Sequence, residues 1–315
     1  MTSPSLLKAL TWRSVLQLSR PGLWFVLAWF FVWPTGGYWA VCSTPQFLIG
    51  FFYCTFPLNL FTYGLNDMVD FDTDQLNDRK GNYYFGAKAS QAELAELPLI
   101  IILCNLFPIA ALVAITDNLK PFMWLALYML SNVLYNVPPF ALSRKGPWEI
   151  PCVMMSVVFL ALFSCELNNV PLPSLEVLAI LRRVVIFNST VILLAHCAWL
   201  FHVLAVARSE LYAEILDRED DAKVGKRTTA VKAGRMWTSL LTCTLTFCHM
   251  LVSYFMLKST LLSVYYIADI AFFISYEEVL YSKSSSAKFA GRVFKIESLV
   301  GLVFFIYAWS NQVLA

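Results

Sequence analysis

Apolar residues in this chain gather into stretches of roughly 20, the length that crosses a bilayer core of about 30 Å, while charged residues collect in the segments between them. The stretches fall at 23–41, 46–65, 98–116, 121–137, 150–165, 181–205, 236–257, 260–281 and 296–314. A backbone in lipid must satisfy its own hydrogen bonds, so such stretches fold as helices. The pattern predicts an all-α, polytopic membrane protein with nine transmembrane helices. In the first stretch Pro34, followed by Gly36 and Gly37, removes a backbone donor and marks a point where the helix ends or kinks.

If the connections alternate sides, the basic residues segregate. One face receives Lys8, Arg13 and Arg20, then Arg79, Lys80 and Lys88, then Arg144 and Lys145. It also receives the run from Arg208 to Arg235 and the group Lys283, Lys288, Arg292 and Lys295. Only Lys120, Arg182, Arg183 and Lys258, of 23 Lys and Arg residues, fall opposite. By the positive-inside rule the rich face is cytoplasmic, which places the N-terminus inside and the C-terminus on the other side.

Composition agrees: 59% of the 315 residues are hydrophobic and 14% charged, against about 45–50% and about 25% in soluble domains. A formal net charge of +2 argues against nucleic acid as a partner. The eight cysteines (Cys42, Cys54, Cys104, Cys152, Cys165, Cys197, Cys243, Cys248) form no CxxC pair and read as small buried hydrophobes. His196 and His202 are six apart and His249 stands alone, a spacing of packed histidines rather than helical metal ligands. The first apolar run is long for a signal peptide and lacks a small-residue cleavage site, so it is expected to be retained as the first helix. No repeat of solenoid period appears, and residues 1–315 read as a single membrane domain.

Two acidic clusters change the picture. The second apolar stretch ends in Asn66, Asp67, Asp70, Asp72 and Asp74, followed by Asp78, Arg79 and Lys80. A continued helix places Asn66, Asp70 and Asp74 on one face, with Asp67 beside it. Beyond the sixth stretch stand Asp217, Glu219, Asp220 and Asp221, then Lys226 and Arg227, with Asp217 and Asp221 again one turn apart. Clustered carboxylates repel one another, and divalent cations or basic side chains relieve that repulsion. Oxygen donors suit Mg²⁺, which commonly bridges one or two carboxylates to substrate phosphate.

That arrangement suits ionisation of an allylic diphosphate, whose departing charge is neutralised by metal and by Lys or Arg. A pocket rich in Phe, Trp and Tyr between the helices then shields the allyl cation from water. A transporter would more naturally place ionisable groups near the midplane, in paired broken helices. A lone cluster would equally read as a solvated interfacial loop.

With both clusters in view, the chain resembles the UbiA superfamily of intramembrane prenyltransferases. The matching residues are Asn66-Asp67-x-x-Asp70-x-x-x-Asp74 and Asp217-x-x-x-Asp221, the latter continuing as DAKVGKRTTAV. Ser19-Arg20-Pro21 and Tyr135-Asn136-Val137-Pro138-Pro139 are similar to further family segments, although Arg144 and Lys145 follow at a looser spacing. The resemblance implies a helical bundle around a central cavity and Mg²⁺-dependent transfer of a prenyl group from a prenyl diphosphate. The acceptor would be lipophilic: aromatic, quinone-precursor, or polyene and carotenoid. A terpene cyclase of the same family is the alternative.

The resemblance also implies metal and catalytic roles for Asp67, Asp70, Asp74, Asp217 and Asp221, and diphosphate binding by Asn66. Arg79, Lys80, Lys145, Lys226 and Arg227 are candidates for the leaving diphosphate, although the positive-inside rule puts basic residues there in any case. Tyr135 would hydrogen-bond the diphosphate or anchor the membrane interface. Asp72, Asp78, Glu219 and Asp220 fall off the pattern and are expected to meet solvent or make secondary contacts. Asp269, a carboxylate inside the eighth stretch, is a functional suspect without a motif. The segment YGLNDMVDFDTDQLN, with SRPGLW before it, looks nearer to the carotenoid-elongating branch.

Overall fold

The computed structural model describes residues 10–36, 39–170 and 190–281, with backbone only at 190–197 and 277–281, and short pieces between 295 and 310. The described elements are helices: α1 Trp12–Leu18, α2 Trp24–Val32, α3 Pro45–Val69, α4 Phe71–Leu76, α5 Gln91–Ile115, α6 Lys120–Asn136, α7 Glu149–Leu167, α8 Thr190–Lys223, α9 Thr229–Leu251 and α10 Thr260–Tyr281. Among the described residues five segments are long and apolar enough to span a membrane: Trp12–Thr35, Pro45–Val69, Gln91–Ile115, Glu149–Leu167 and Thr229–Met256. The start of the sixth predicted stretch with Arg182 and Arg183, parts of the ninth, and Lys8, Lys283, Lys288 and Arg292 lie outside the described residues, as do the side chains of His196 and Cys197.

Local chemistry sets the boundaries. The first predicted stretch closes early: α2 passes into a tight turn at Trp33–Thr35 and stops at Gly36, whose φ of 59° suits glycine. Helix α5 begins seven residues before its hydrophobic run because Ser90 and Glu93 form a capping box, Ser90 N donating to Glu93 Oε2 at 2.9 Å. Pro57 interrupts the backbone ladder of α3. Asn105 of α5 donates across to the Pro57 carbonyl at 3.0 Å, and Asn59 donates to the Cys54 carbonyl at 2.8 Å.

The largest departure is α8, which runs on from the predicted end at 205 to Lys223. Its polar half lines the protein interior, so the helix persists where hydropathy falls.

Helices α6 and α7 pack as an antiparallel pair, α3 lies between α2 and α5, and α8 packs against α7 and α9. Phe31, Tyr53, Leu58, Leu160, Phe163 and Phe201 are fully buried where these helices meet. Along α9, Thr238, Thr242 and Thr246 return their hydroxyls to the carbonyls four residues earlier, at 2.8–2.9 Å, so the buried face stays small and satisfied. Close approach of α2, α3 and α7 depends on Gly50, where a Cβ would lie 2.5 Å from the Phe31 ring and 2.9 Å from Leu167. Gly50→Ala is expected to destabilise the fold by about 1–3 kcal/mol, measured as a lowered thermal midpoint in detergent, with Gly225→Ala, which meets no neighbour within 4 Å, separating crowding from backbone strain.

Candidate functional site

At Asp70 the backbone leaves the α-helical region (φ −97°, ψ 21°), so α3 and α4 are separate helices rather than the single one the spacing suggests. The i, i+4 bonding nevertheless carries through: Asp70 N donates to Asn66 O and Asp74 N to Asp70 O, each at 2.9 Å. The kink leaves Asn66, Asp70 and Asp74 together on the wall of a cavity of about 460 Å³. Asp217 and Asp221, one turn apart on α8, stand on the same wall.

Basic side chains tie the two clusters together. Lys226 Nζ lies 2.8 Å from Asp70 Oδ2 and 3.4 Å from Asp221 Oδ1. Arg79 pairs with Asp217, to which Asn77 Nδ2 also donates at 3.2 Å. Lys80 bridges Asp67 at 2.7 Å and Asp74 at 2.8 Å. Asn66 donates to Asp70 Oδ2 at 3.0 Å, which orients that carboxylate.

Asp67 is 2% exposed and stands behind the cavity wall. There it takes Arg20 Nη2 at 2.7 Å in addition to Lys80, and its Oδ2 is left without a hydrogen-bond partner. Arg20 adopts φ 50°, ψ 68°, a strained conformation for a residue with a side chain. It is held there by Asp67 and by the Tyr63 ring, 4.5 Å from its guanidinium carbon. Gly86, at φ 94°, lets the loop after α4 close over this group: a Cβ there would lie 3.0 Å from Asp67 and 3.3 Å from Lys80.

Besides Asp67, two further sequence candidates are not brought to the cavity. Lys145 turns away, its Nζ donating to the Pro139 carbonyl at 2.9 Å, and Arg227 is exposed. The Arg227 backbone straps the segment before α9 to the α6–α7 loop on either side of Lys145, Arg227 N donating to Arg144 O at 3.1 Å and Gly146 N to Arg227 O at 2.7 Å. The neighbour Arg144 reaches the site instead, 3.1 Å from Asp70 Oδ1 and 3.0 Å from the Val69 carbonyl. Tyr135 lines the cavity, but its hydroxyl donates to Glu210. Asp72, Asp78 and Glu219 are exposed; Asp220 is buried with Lys223 at 3.5 Å. Asp269 is buried and pairs with Arg208, a cavity-lining residue of α8.

Sequence spacing does not point to Arg20, Arg144 or Glu210 as site groups. For Arg20 the signal was the Ser-Arg-Pro segment at the helix entry; for Glu210, a carboxylate in register with Asp217 and Asp221 on α8.

Burial raises the Asp221 carboxyl to about 7 despite Lys226 beside it. Burial likewise raises Asp74, reinforced by Asp67 and opposed by Lys80. Burial would lower Lys226, but Asp70 and Asp221 outweigh it and hold it above its ordinary value.

Among the described residues no three acidic, His or Cys side chains converge tightly enough to hold a metal alone. The donors around the cavity are carboxylate and amide oxygens, the hard set that takes Mg²⁺ when phosphate and water complete its shell. Above the polar rim the walls turn apolar, with Leu27, Trp29, Phe30, Tyr128 and Val157.

A family model described as the UbiA prenyltransferase family matches residues 22–299. The chain is 30% identical over 142 residues to the C(50) beta-cyclic carotenoids biosynthesis protein LbtBC of Dietzia sp. (strain CQ4), covering 42% of this chain and 29% of that protein. It is 33% identical over 132 residues to the lycopene elongase/hydratase of Haloferax volcanii, covering 39% and 40% respectively. The chain thus spans less than half of either relative. Its fold is similar to that of a UbiA homolog from Archaeoglobus fulgidus solved with DMAPP and Mg²⁺, at a TM-score of 0.63 and 16% identity over 96% of this chain and 99% of that one. The same homolog solved with GPP and Mg²⁺ gives 0.60.

Lys80 is 4% exposed and holds two buried carboxylates. Lys80→Met should destabilise the metal-free protein by about 3–5 kcal/mol, whereas Lys145→Met should stay within about 0.5 kcal/mol; thermal unfolding in detergent compares the two.

Proposed function

The chain belongs to the UbiA prenyltransferase family, and from that premise we propose that it transfers a prenyl group from a prenyl diphosphate to a polyene acceptor inside the membrane. The observation that carries this reading is the meeting of Asp70 and Asp74 with Asp217 and Asp221 at the rim of one aromatic-walled cavity. The names of the two relatives, both from carotenoid biosynthesis, favour a polyene over an aromatic acid as acceptor.

In this reading Asp70, Asp74, Asp217 and Asp221 hold Mg²⁺ together with the diphosphate, and the metal supplies positive charge to the leaving group. Asp67 acts through Arg20 and Lys80, which it fixes in place. Lys80, Arg79, Lys226 and Arg144 give the departing diphosphate further charge. Asn66 sets the orientation of Asp70. The apolar walls keep water from the allyl cation until the acceptor attacks. The segregation of basic residues supports a cytoplasmic mouth, an inside N-terminus and a C-terminus on the opposite side.

Purified protein offered geranyl, farnesyl or geranylgeranyl diphosphate with lycopene should release diphosphate only with Mg²⁺, and Asp70→Ala and Asp217→Ala should each lower that release at least a hundredfold. Release without Mg²⁺, or undiminished in both variants, would remove the reading, and a product of the donor's own mass less diphosphate would reveal a cyclase.

Metal binding requires Asp221 as carboxylate. With its pKa raised to about 7, protons compete increasingly as pH falls, and the apparent Mg²⁺ affinity should weaken roughly tenfold from pH 8 to pH 6. In the metal-free protein Asp221 acts oppositely to an ordinary salt-bridged carboxylate: the fold holds the proton more tightly than the unfolded chain, so its contribution to stability falls as pH rises from about 4 to about 7. Mg²⁺ titrations followed by the thermal midpoint at the two pH values check both signs.

A further inference from the structure

Transfer to a carbon acceptor leaves one step that the acidic rim does not perform. When the double bond of the acceptor attacks C1 of the donor, the carbon–carbon bond forms, the C1–oxygen bond breaks and its electron pair leaves with diphosphate. The positive charge passes to the acceptor, which must then lose a proton from an adjacent carbon. The base that takes it has to reach the acceptor, stand apart from the diphosphate, and be free of a cation that would hold its charge.

We propose that Glu210 is that base. The assignment rests on the prenyl-transfer reading above. Glu210 projects from α8 into the cavity in register with Glu214, Asp217 and Asp221. It stands two turns deeper than Asp217, about 10 Å along the helix axis, where the wall changes from polar to apolar. Asp70, Asp74, Asp217 and Asp221 are each paired with Lys or Arg. Among the described residues Glu210 has no such pair; the Tyr135 hydroxyl donates to its Oε1 and fixes the carboxylate's direction.

The other titratable groups around it are Tyr63 of α3, Glu149 and Cys152 of α7, and Glu214, Asp217 and Asp221 of its own helix. None of these is a cation, and Arg208, the cavity-lining cation two residues away on α8, is paired with Asp269.

The proton moves from the acceptor carbon to Glu210, and the C–H electron pair restores a double bond beside the new carbon–carbon bond. Glu214, one turn nearer the rim, and Glu149 beyond it extend the row of carboxylates towards the membrane face. There Glu149 accepts from Thr229 N at 2.7 Å and Glu214 from Ala230 N at 2.9 Å.

The test uses full-length protein with Mg²⁺ and the donor and acceptor that the wild type turns over fastest, measuring coupled product, released diphosphate and free prenyl alcohol in one reaction. In the wild type the ratio of coupled product to diphosphate should be near one. Glu210→Gln should lower it at least tenfold, with prenyl alcohol or water-quenched acceptor making up the difference. Tyr135→Phe, which removes only the orienting hydrogen bond, should lower it less. A folded Glu210→Gln variant with the wild-type ratio overturns the assignment. So does a variant in which coupling and diphosphate release fall together, since that marks a purely structural role. If Glu210→Gln does not fold, Glu210→Asp withdraws the carboxylate by one methylene and should still lower the ratio; an unchanged ratio overturns the proposal. A wild type with no Mg²⁺-dependent release removes the prenyl-transfer reading itself, and the base with it.

Discussion

The contact on which the site depends is the ammonium of Lys226 between Asp70 and Asp221. Buried carboxylates on neighbouring helices repel one another strongly, and the protein sets a cation between them at each point where the clusters approach. Lys226 joins the first cluster to the second, Arg79 does so again through Asp217, and Lys80 neutralises Asp67 and Asp74 within the first. Removing one partner from such a pair leaves a buried charge uncompensated, so the lysines and arginines are structural before they are chemical. Arg20, at the entry to α2, is drawn into the same network through Asp67, which couples the first membrane helix to the rim.

Below this network the cavity has two regimes. At the rim, charge is dense, and Asp67, Asp70, Asp74, Asp217 and Asp221 each have a counter-ion. Two turns deeper Glu210 takes the Tyr135 hydroxyl and, among the described residues, no Lys or Arg, and Trp29, Phe30 and Val157 supply apolar lining. In the proposed reaction, leaving-group stabilisation and proton removal ask for opposite electrostatics, and one face of α8 carries carboxylates in both settings. That is why the helix outlasts its hydrophobic run: Arg208, Glu210, Glu214, Asp217 and Asp221 line a polar cavity rather than lipid.

Much of this was legible in the sequence. Spans bounded by charges gave α3, α5, α6, α7 and α10 to within a few residues at most ends, because lipid imposes a single rule on every turn of helix. The Asp spacing located both clusters, since the i, i+4 period survives the kink at Asp70. The basic partners were harder to read. Arg144 and Lys145 are adjacent, and only the short turn at Leu142–Arg144 decides that Arg144 meets Asp70 while Lys145 turns back to Pro139. Arg227 sits beside Lys226, yet its backbone contributes the strap and its side chain leaves for solvent. Such choices depend on loop geometry, which hydropathy does not encode.

The pairing of Asp70 with Lys226 joins residues 156 positions apart. At a synthesis rate of about 5–20 residues per second, Asp70 waits roughly eight to thirty seconds for Lys226 to be made. Through that interval the first half of the bundle can enter the membrane, but its acidic rim has to stay hydrated at the surface. The site is therefore an assembly step as well as a reaction centre: Arg20, Lys80 and Arg144 are made early enough to neutralise the first cluster, but the halves lock only when α8 and Lys226 after it arrive to join Asp70 to Asp221.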